Sequence, residues 1–82
     1  MEHELKIKDN FFRAVDAGKK NFELRKDDRG FKNGDILILR EWSDVMGNYT
    51  GRVIRRRITY IYHGTGIYGL AKGYSILGLE EV

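Results

Sequence analysis

From His3 to Lys8 the chain alternates, with Leu5 and Ile7 on one parity and Glu4, Lys6 and Lys8 on the other. A period of two marks a half-buried strand. The pattern then changes. Phe11, Phe12 and Val15 recur at helical spacing while Arg13 and Asp16 fall on the opposite side, which predicts a helix to about Ala17. Asp9 or Asn10 is placed to cap its first turn, and Gly18 to end it in the left-handed conformation. Two turns of helix are marginal alone and must dock on a sheet.

Alternation resumes from Lys19 to Lys26, with Phe22 and Leu24 expected inward and Asn21, Glu23 and Arg25 on the other face. A charged loop follows to Gly34. Asp35 then opens Ile36-Leu37-Ile38-Leu39, an apolar run that predicts a strand buried on both faces. Trp42 to Gly51 reads as a loop or hairpin tip, and Arg52 to Tyr62 as a long strand. Ile54, Ile58, Tyr60 and Tyr62 make its apolar parity, interrupted by Arg56, while Arg55, Arg57 and Thr59 lie on the other. His63 to Gly73 is glycine-rich, Tyr74 to Leu79 is a last strand, and Glu80-Glu81-Val82 reads as a frayed end. The expected fold is mainly β, an α+β chain whose five or six short strands curl into a small barrel to hide their edges, with one helix after the first strand. A ferredoxin-like layer would need a second helix that the pattern lacks.

Composition narrows this further. Eighty-two residues suffice for one domain, residues 1–82, and 41% apolar against 33% charged residues is a globular balance. There is no cysteine and there are only two histidines, so neither a disulfide framework nor a structural metal site is expected, and no cofactor motif is visible. Ten glycines and no proline leave the turns to glycine. No apolar run approaches a membrane span and the N-terminus does not read as a signal peptide, so a cytoplasmic protein, by default a monomer, is expected. The net charge of +3 permits nucleic acid without demanding it.

Gly18-Lys19-Lys20-Asn21-Phe22-Glu23-Leu24-Arg25 is the most informative stretch, because it sets a lysine, a glutamate and an arginine around one helix–strand junction. It fits the pattern G-x-K-x-x-E-x-R and resembles the ASCH superfamily, whose fold is a PUA-like barrel. Further segments are similar to a small bacterial and phage branch of that superfamily: His3 to Ile7, Arg25 to Arg29 with Phe31, Gly34-Asp35, Arg40 to Trp42, Tyr49 to Arg52, and Gly73-Tyr74. The resemblance implies a cleft between helix and barrel, lined by the motif, that binds RNA or a nucleotide-like ligand.

The residues support a physical reading of such a cleft. Glu23 and Arg25 share strand parity and emerge on one face about 7 Å apart. Lys20 has the opposite parity, and joins them only if the strand bulges or twists at its start. A carboxylate between two cations could hold both and accept the exocyclic N–H of a base while a cation meets a phosphate. The bland alternative is an exposed ion pair worth about 0–1 kcal/mol.

Other residues join the candidate set. Between Trp42 and Gly73 five basic residues face one acidic residue, a local net of +4. Arg55 and Arg57 could track a phosphate backbone, or merely protect a sheet edge. Arg56, on the apolar parity, needs a carboxylate, a rim position or a ligand. Tyr62 and Trp42, at element ends, are candidates for base stacking, although most aromatics here belong to the core. His3 shares the inward parity of Leu5 and Ile7 and could face the cleft or be a hydrogen-bonded rim residue. Arg29, in the charged loop, completes the set. The glycine-rich run from His63 to Gly69 lacks a Walker pattern and reads as a turn.

Two other functions compete with RNA or nucleotide binding. One ASCH branch consists of small amidohydrolases acting on acylated cytidine-type nucleosides, with a lysine and a threonine three residues later. Here Lys20 keeps the lysine, but Glu23 stands where the hydroxyl nucleophile belongs. Glu23 could act instead as a general base toward water, with Lys20 stabilising an oxyanion. The third reading is a protein-interaction module.

Overall fold

The computed structural model describes residues 1–82. Five strands and one helix follow in the order β1 (Glu2–Lys8), α1 (Asp9–Asp16), β2 (Phe22–Lys26), β3 (Ile36–Ser43), β4 (Asn48–His63) and β5 (Tyr74–Glu81). They form one sheet in the order β1-β3-β4-β5-β2, with β1 and β3 parallel and the other pairs antiparallel. A parallel pair needs a long crossover, and α1 lies within it. β1 and β2 are the two edges, yet the Arg25 guanidinium of β2 donates to the Lys6 carbonyl of β1 at 2.6 Å. Arg29 donates likewise to the Glu4 carbonyl at 2.8 Å. The sheet therefore curls into a half-barrel whose edges stand one arginine side chain apart. That seam organises the molecule.

The inner face carries the core: Leu5 and Ile7 of β1, Leu37 and Leu39 of β3, Ile54 and Ile58 of β4, Leu77 and Leu79 of β5, with Phe31 from a loop and Phe12 and Val15 of α1. Full burial of side chains of this size stabilises by about 1.5–3 kcal/mol each. The helix follows β1 without a linking residue. Its N-cap is thus Lys8, which makes no side-chain cap, and not Asp9 or Asn10. Asp9 opens the first turn, its carboxylate accepting the Asn10 N–H. At the other end Gly18 takes φ +74°, with its N–H on the Val15 carbonyl and that of Lys19 on the Ala14 carbonyl. These two bonds form a Schellman cap.

Several expected patterns are corrected. β2 turns its charged parity inward: Glu23 is 4% exposed, while Phe22 and Leu24 are 46% and 51% exposed. In the apolar run of β3 only Leu37 and Leu39 are buried, whereas Ile36 and Ile38 sit half-buried on the outer face, which no helix covers. The β3–β4 hairpin is longer than expected, since both strands continue through Trp42, Tyr49 and Thr50 and leave only residues 44–47 as its tip. Along β4 the inward parity of Ile54, Arg56 and Ile58 breaks at a register shift between Ile58 and Tyr60, so Ile61 packs on the core and Tyr60 faces solvent. Glycine at 78, opposite this bulge, leaves room for it: a Cβ there would stand 3.1 Å from the Thr59 Oγ1. Glu80 and Glu81 are part of β5 rather than frayed. No helix is long and apolar enough to cross a membrane.

Candidate functional site

The Schellman cap fixes where the chain leaves the helix, and the Lys20 N–H also bonds the Ala14 carbonyl at 3.0 Å. Lys20 is thereby delivered to the seam just before β2. Its Nζ donates to Glu23 Oε1 at 2.7 Å and to the Phe22 carbonyl at 2.8 Å. Arg25 Nε donates to the other oxygen, Glu23 Oε2, at 2.7 Å. One buried carboxylate thus organises two cations from opposite sides. This is not the exposed ion pair of the bland reading, since Glu23 lies inside and both bonds are short and charge-assisted.

Around this triad the seam opens into a cleft of about 490 Å³. Its apolar surface comes from Ile7, Phe11, Phe22 and Leu24, and its charge from Lys6, Lys8, Lys20, Arg25 and Lys26 against Glu23 alone. The last three apolar residues are about half exposed in the free protein. Lys20 Nζ lies 4.9 Å from the Phe22 ring centroid and 5.6 Å from that of Phe11. A second recess of about 160 Å³ continues along the seam beside Arg25, Arg29 and Phe31.

The donors are not all consumed. An ammonium has three N–H groups and Lys20 uses two within the protein. Arg25 spends Nε on Glu23 and Nη2 on Lys6, and its Nη1 has no partner within the protein. A free ammonium N–H and a free guanidinium edge on either side of one carboxylate can receive an anion. The neighbouring aromatic rings offer faces to a planar group. No hydroxyl side chain lines the cleft.

The other sequence candidates scatter. His3 is buried but does not face the cleft: its Nε2 donates to Asp35 Oδ2 at 2.8 Å, and its ring meets Phe31 edge-on at 4.8 Å. Asp35 also accepts the Lys32 N–H and the N-terminal ammonium. The His3 hydrogen bond above all holds the Asp35 carboxyl below its ordinary 3.8; burial opposes this, and the Lys32 and N-terminal donors add to it. His3 therefore belongs to a structural cluster, the hydrogen-bonded rim reading. Arg29 lies on the seam and ties the charged loop to β1. Arg55 and Arg57 stand on the outer face, paired with Glu2 at 2.7 Å and Glu80 at 3.0 Å. Tyr62 pairs with Ile76 of β5, and neither it nor the two arginines lines a recess. Arg56 points inward and reaches the Val15 carbonyl at 3.4 Å, so its partner is a helix C-terminus and not a carboxylate.

Two clusters escaped the sequence reading. Glu41, buried on the inner face, accepts the Thr50 hydroxyl at 2.6 Å and has Arg52 at 3.8 Å, which also reaches Asp16 of the helix. It clamps the helix to the β3–β4 hairpin. Ser75 stands between Asp27 at 3.2 Å and His63 at 3.3 Å. These residue types suggest a nucleophile, but Ser75 is fully buried and no substrate carbonyl could reach it. Asp27, Glu41, Thr50 and Arg52 lie in segments that carry the resemblance, but nothing in the sequence brings them together with their partners. Both clusters arise from register.

A family model described as "Domain of unknown function (DUF3850)" matches residues 2–79, a span that includes both strands that border the seam, β1 and β2. The chain is also 49% identical over 57 residues to an "Uncharacterized 12.9 kDa protein in GpA 3'region" of Escherichia phage P2. That alignment covers 70% of this chain and 50% of the phage protein, so the chain spans about half the length of this relative. A match running from β1 into β5 makes the assignment plain: the chain belongs to the DUF3850 family.

Proposed function

We infer that this domain binds RNA or a nucleotide-like ligand in the seam cleft, as a non-enzymatic, ASCH-like member of the PUA-like barrels. The single observation that carries this reading is the inverted parity of β2. A strand that buries Glu23 and exposes Phe22 and Leu24 forgoes hydrophobic burial, and what it gains is a cation-rimmed apolar cleft. Exposed apolar surface ringed by charge marks an interaction site. Lys20 and Arg25 meet phosphate, Phe11 and Phe22 flank a base, and Glu23 holds the two cations in register. The similarity of Gly18 to Arg25 to the ASCH motif supports the same cleft.

The test is equilibrium binding of single-stranded RNA and of nucleoside monophosphates at low salt, by fluorescence anisotropy or calorimetry. Loss of one charge-assisted hydrogen bond costs about 1.5–3 kcal/mol, so Lys20→Ala and Arg25→Glu should each weaken binding about tenfold or more. Affinity should fall with salt, each neutralised phosphate adding about −0.7 to the slope for a single strand. Absence of binding by every probe, or variants that bind like the wild type, would overturn the reading.

A further inference from the structure

The outer face of the half-barrel is divided. On its lower part Arg55 and Arg57 are neutralised by Glu2 and Glu80. On its upper part the strand registers set Lys6 beside Arg40, Lys8 beside Trp42, and Trp42 in turn beside Tyr49. Here the cations lie on aromatic rings instead of carboxylates. Lys6 Nζ is 4.3 Å from the Trp42 ring centroid, and the Arg40 guanidinium carbon is 4.0 Å from that of Tyr49. The two rings meet edge to face at 5.2 Å. Neither Lys6 nor Arg40 has a carboxylate within ion-pairing distance, and the one acid touching the patch is Asp44, held by the Trp42 Nε1 at 3.1 Å with Lys8 at 3.8 Å.

Resting on the cleft reading above, we propose that this platform of Lys6, Arg40, Trp42 and Tyr49 carries the continuation of a single nucleic-acid strand that enters the cleft, so that the ligand is an oligonucleotide and not a mononucleotide. Charge complementarity is the first argument: these are the outer-face cations without acidic partners, whereas Arg55 and Arg57 have theirs. Continuity is the second. Lys6 and Lys8 line the cleft and also flank the Arg40–Trp42–Tyr49 row, one strand spacing of about 4.8 Å away. A strand crossing the edge of β1 keeps contact with cations throughout. Bases stack on the outward guanidinium face of Arg40, and on Trp42 in place of Lys6, whose ammonium then meets the adjoining phosphate.

Trp42 is the only tryptophan in the chain, so the unmodified protein reports on its own platform. The experiment titrates it with cytidine monophosphate, with oligouridylate of about ten nucleotides and with the matching oligothymidylate, following Trp42 emission and, independently, the anisotropy of end-labelled oligomers. The oligomers should cause a saturable loss of emission that the monophosphate does not. Arg40→Glu and Trp42→Ala should weaken oligomer binding about tenfold while leaving monophosphate binding within about twofold. Oligomer binding that depends on Lys20 but leaves Trp42 emission unchanged overturns the platform and spares the cleft reading. Quenching that persists in Lys20→Ala with unchanged affinity supports the platform and overturns the cleft. No binding of any probe overturns both, and a protein partner then becomes the occupant to seek. Preference for the uridylate over the thymidylate identifies RNA, and equal binding a single strand of either kind.

Discussion

Glu23 carries two cations on one buried carboxylate, and that arrangement fixes what a substitution there should do. Glu23→Gln keeps the shape but removes the charge between Lys20 and Arg25. Stability should fall by about 1–3 kcal/mol in urea denaturation, and nucleotide affinity should fall with it because both cations lose their anchor. Asp35 makes a separate prediction. Its folded-state pKa is depressed below the ordinary 3.8, so its contribution is complete above that value and is lost as pH falls through it toward the folded-state value. Asp35→Asn should therefore be less stable than the wild type at neutral pH, and the gap should narrow in acid. A gap constant between neutral pH and pH about 2 would contradict this assignment. The triad's membership was legible from its types and spacing. Its direction was not: the apolar Phe22 and Leu24 favour the opposite parity on hydropathy alone, and only the cation-paired carboxylate explains why the strand turns over. His3 was legible as inward but not as Asp35-bound, because its partner lies 32 residues away.

At the scale of elements, the positions of helix and strands depend on single residues of backbone geometry. Gly18 at φ +74° ends the helix and aims Lys20 at the seam. A β-branched residue is ill-suited to that conformation, so Gly18→Val should cost about 1–2 kcal/mol and weaken binding beyond what the stability loss explains. Thermal denaturation alongside anisotropy checks both parts. The helix end was legible because glycine at that place in the pattern has one common use. The bulge at Thr59 was not, since β4 reads as one continuous alternation through Tyr60 and Tyr62 until an unpaired residue reverses it. Gly78 was the available signal, a glycine inside a strand, but its meaning depends on a neighbour known only from the pairing. The hairpin tip was overestimated for a similar reason. Polar and glycine residues around Tyr49 to Gly51 suggest a loop, yet all three lie within β4, and Tyr49 pairs with Trp42 of β3 and meets its ring.

The whole molecule is a sheet that nearly closes, with cations massed at the gap. Its core is concentrated, and Leu77→Ala, at a fully buried central position, should cost about 2–5 kcal/mol in urea denaturation. The mainly β class with one early helix was legible from the pattern. The seam was not, because it exists only where β1 and β2, the two edges of the sheet, fail to pair and arginines bridge them. The net charge of +3 likewise conceals its distribution: the arginines of β4 that dominate the local excess are largely spent on partners, while the lysines of β1 and β2 face the cleft.

The claim that this cleft is the binding site is tested most directly by a titration of the nitrogen-15-labelled protein with cytidine monophosphate and a short RNA at low salt, read by amide chemical shifts. The account predicts saturable shifts clustered at residues 6–11 and 20–26, on both sides of the seam, and their loss in Lys20→Ala. Saturable shifts confined to the 64–73 loop and β5, or none at all, would contradict it.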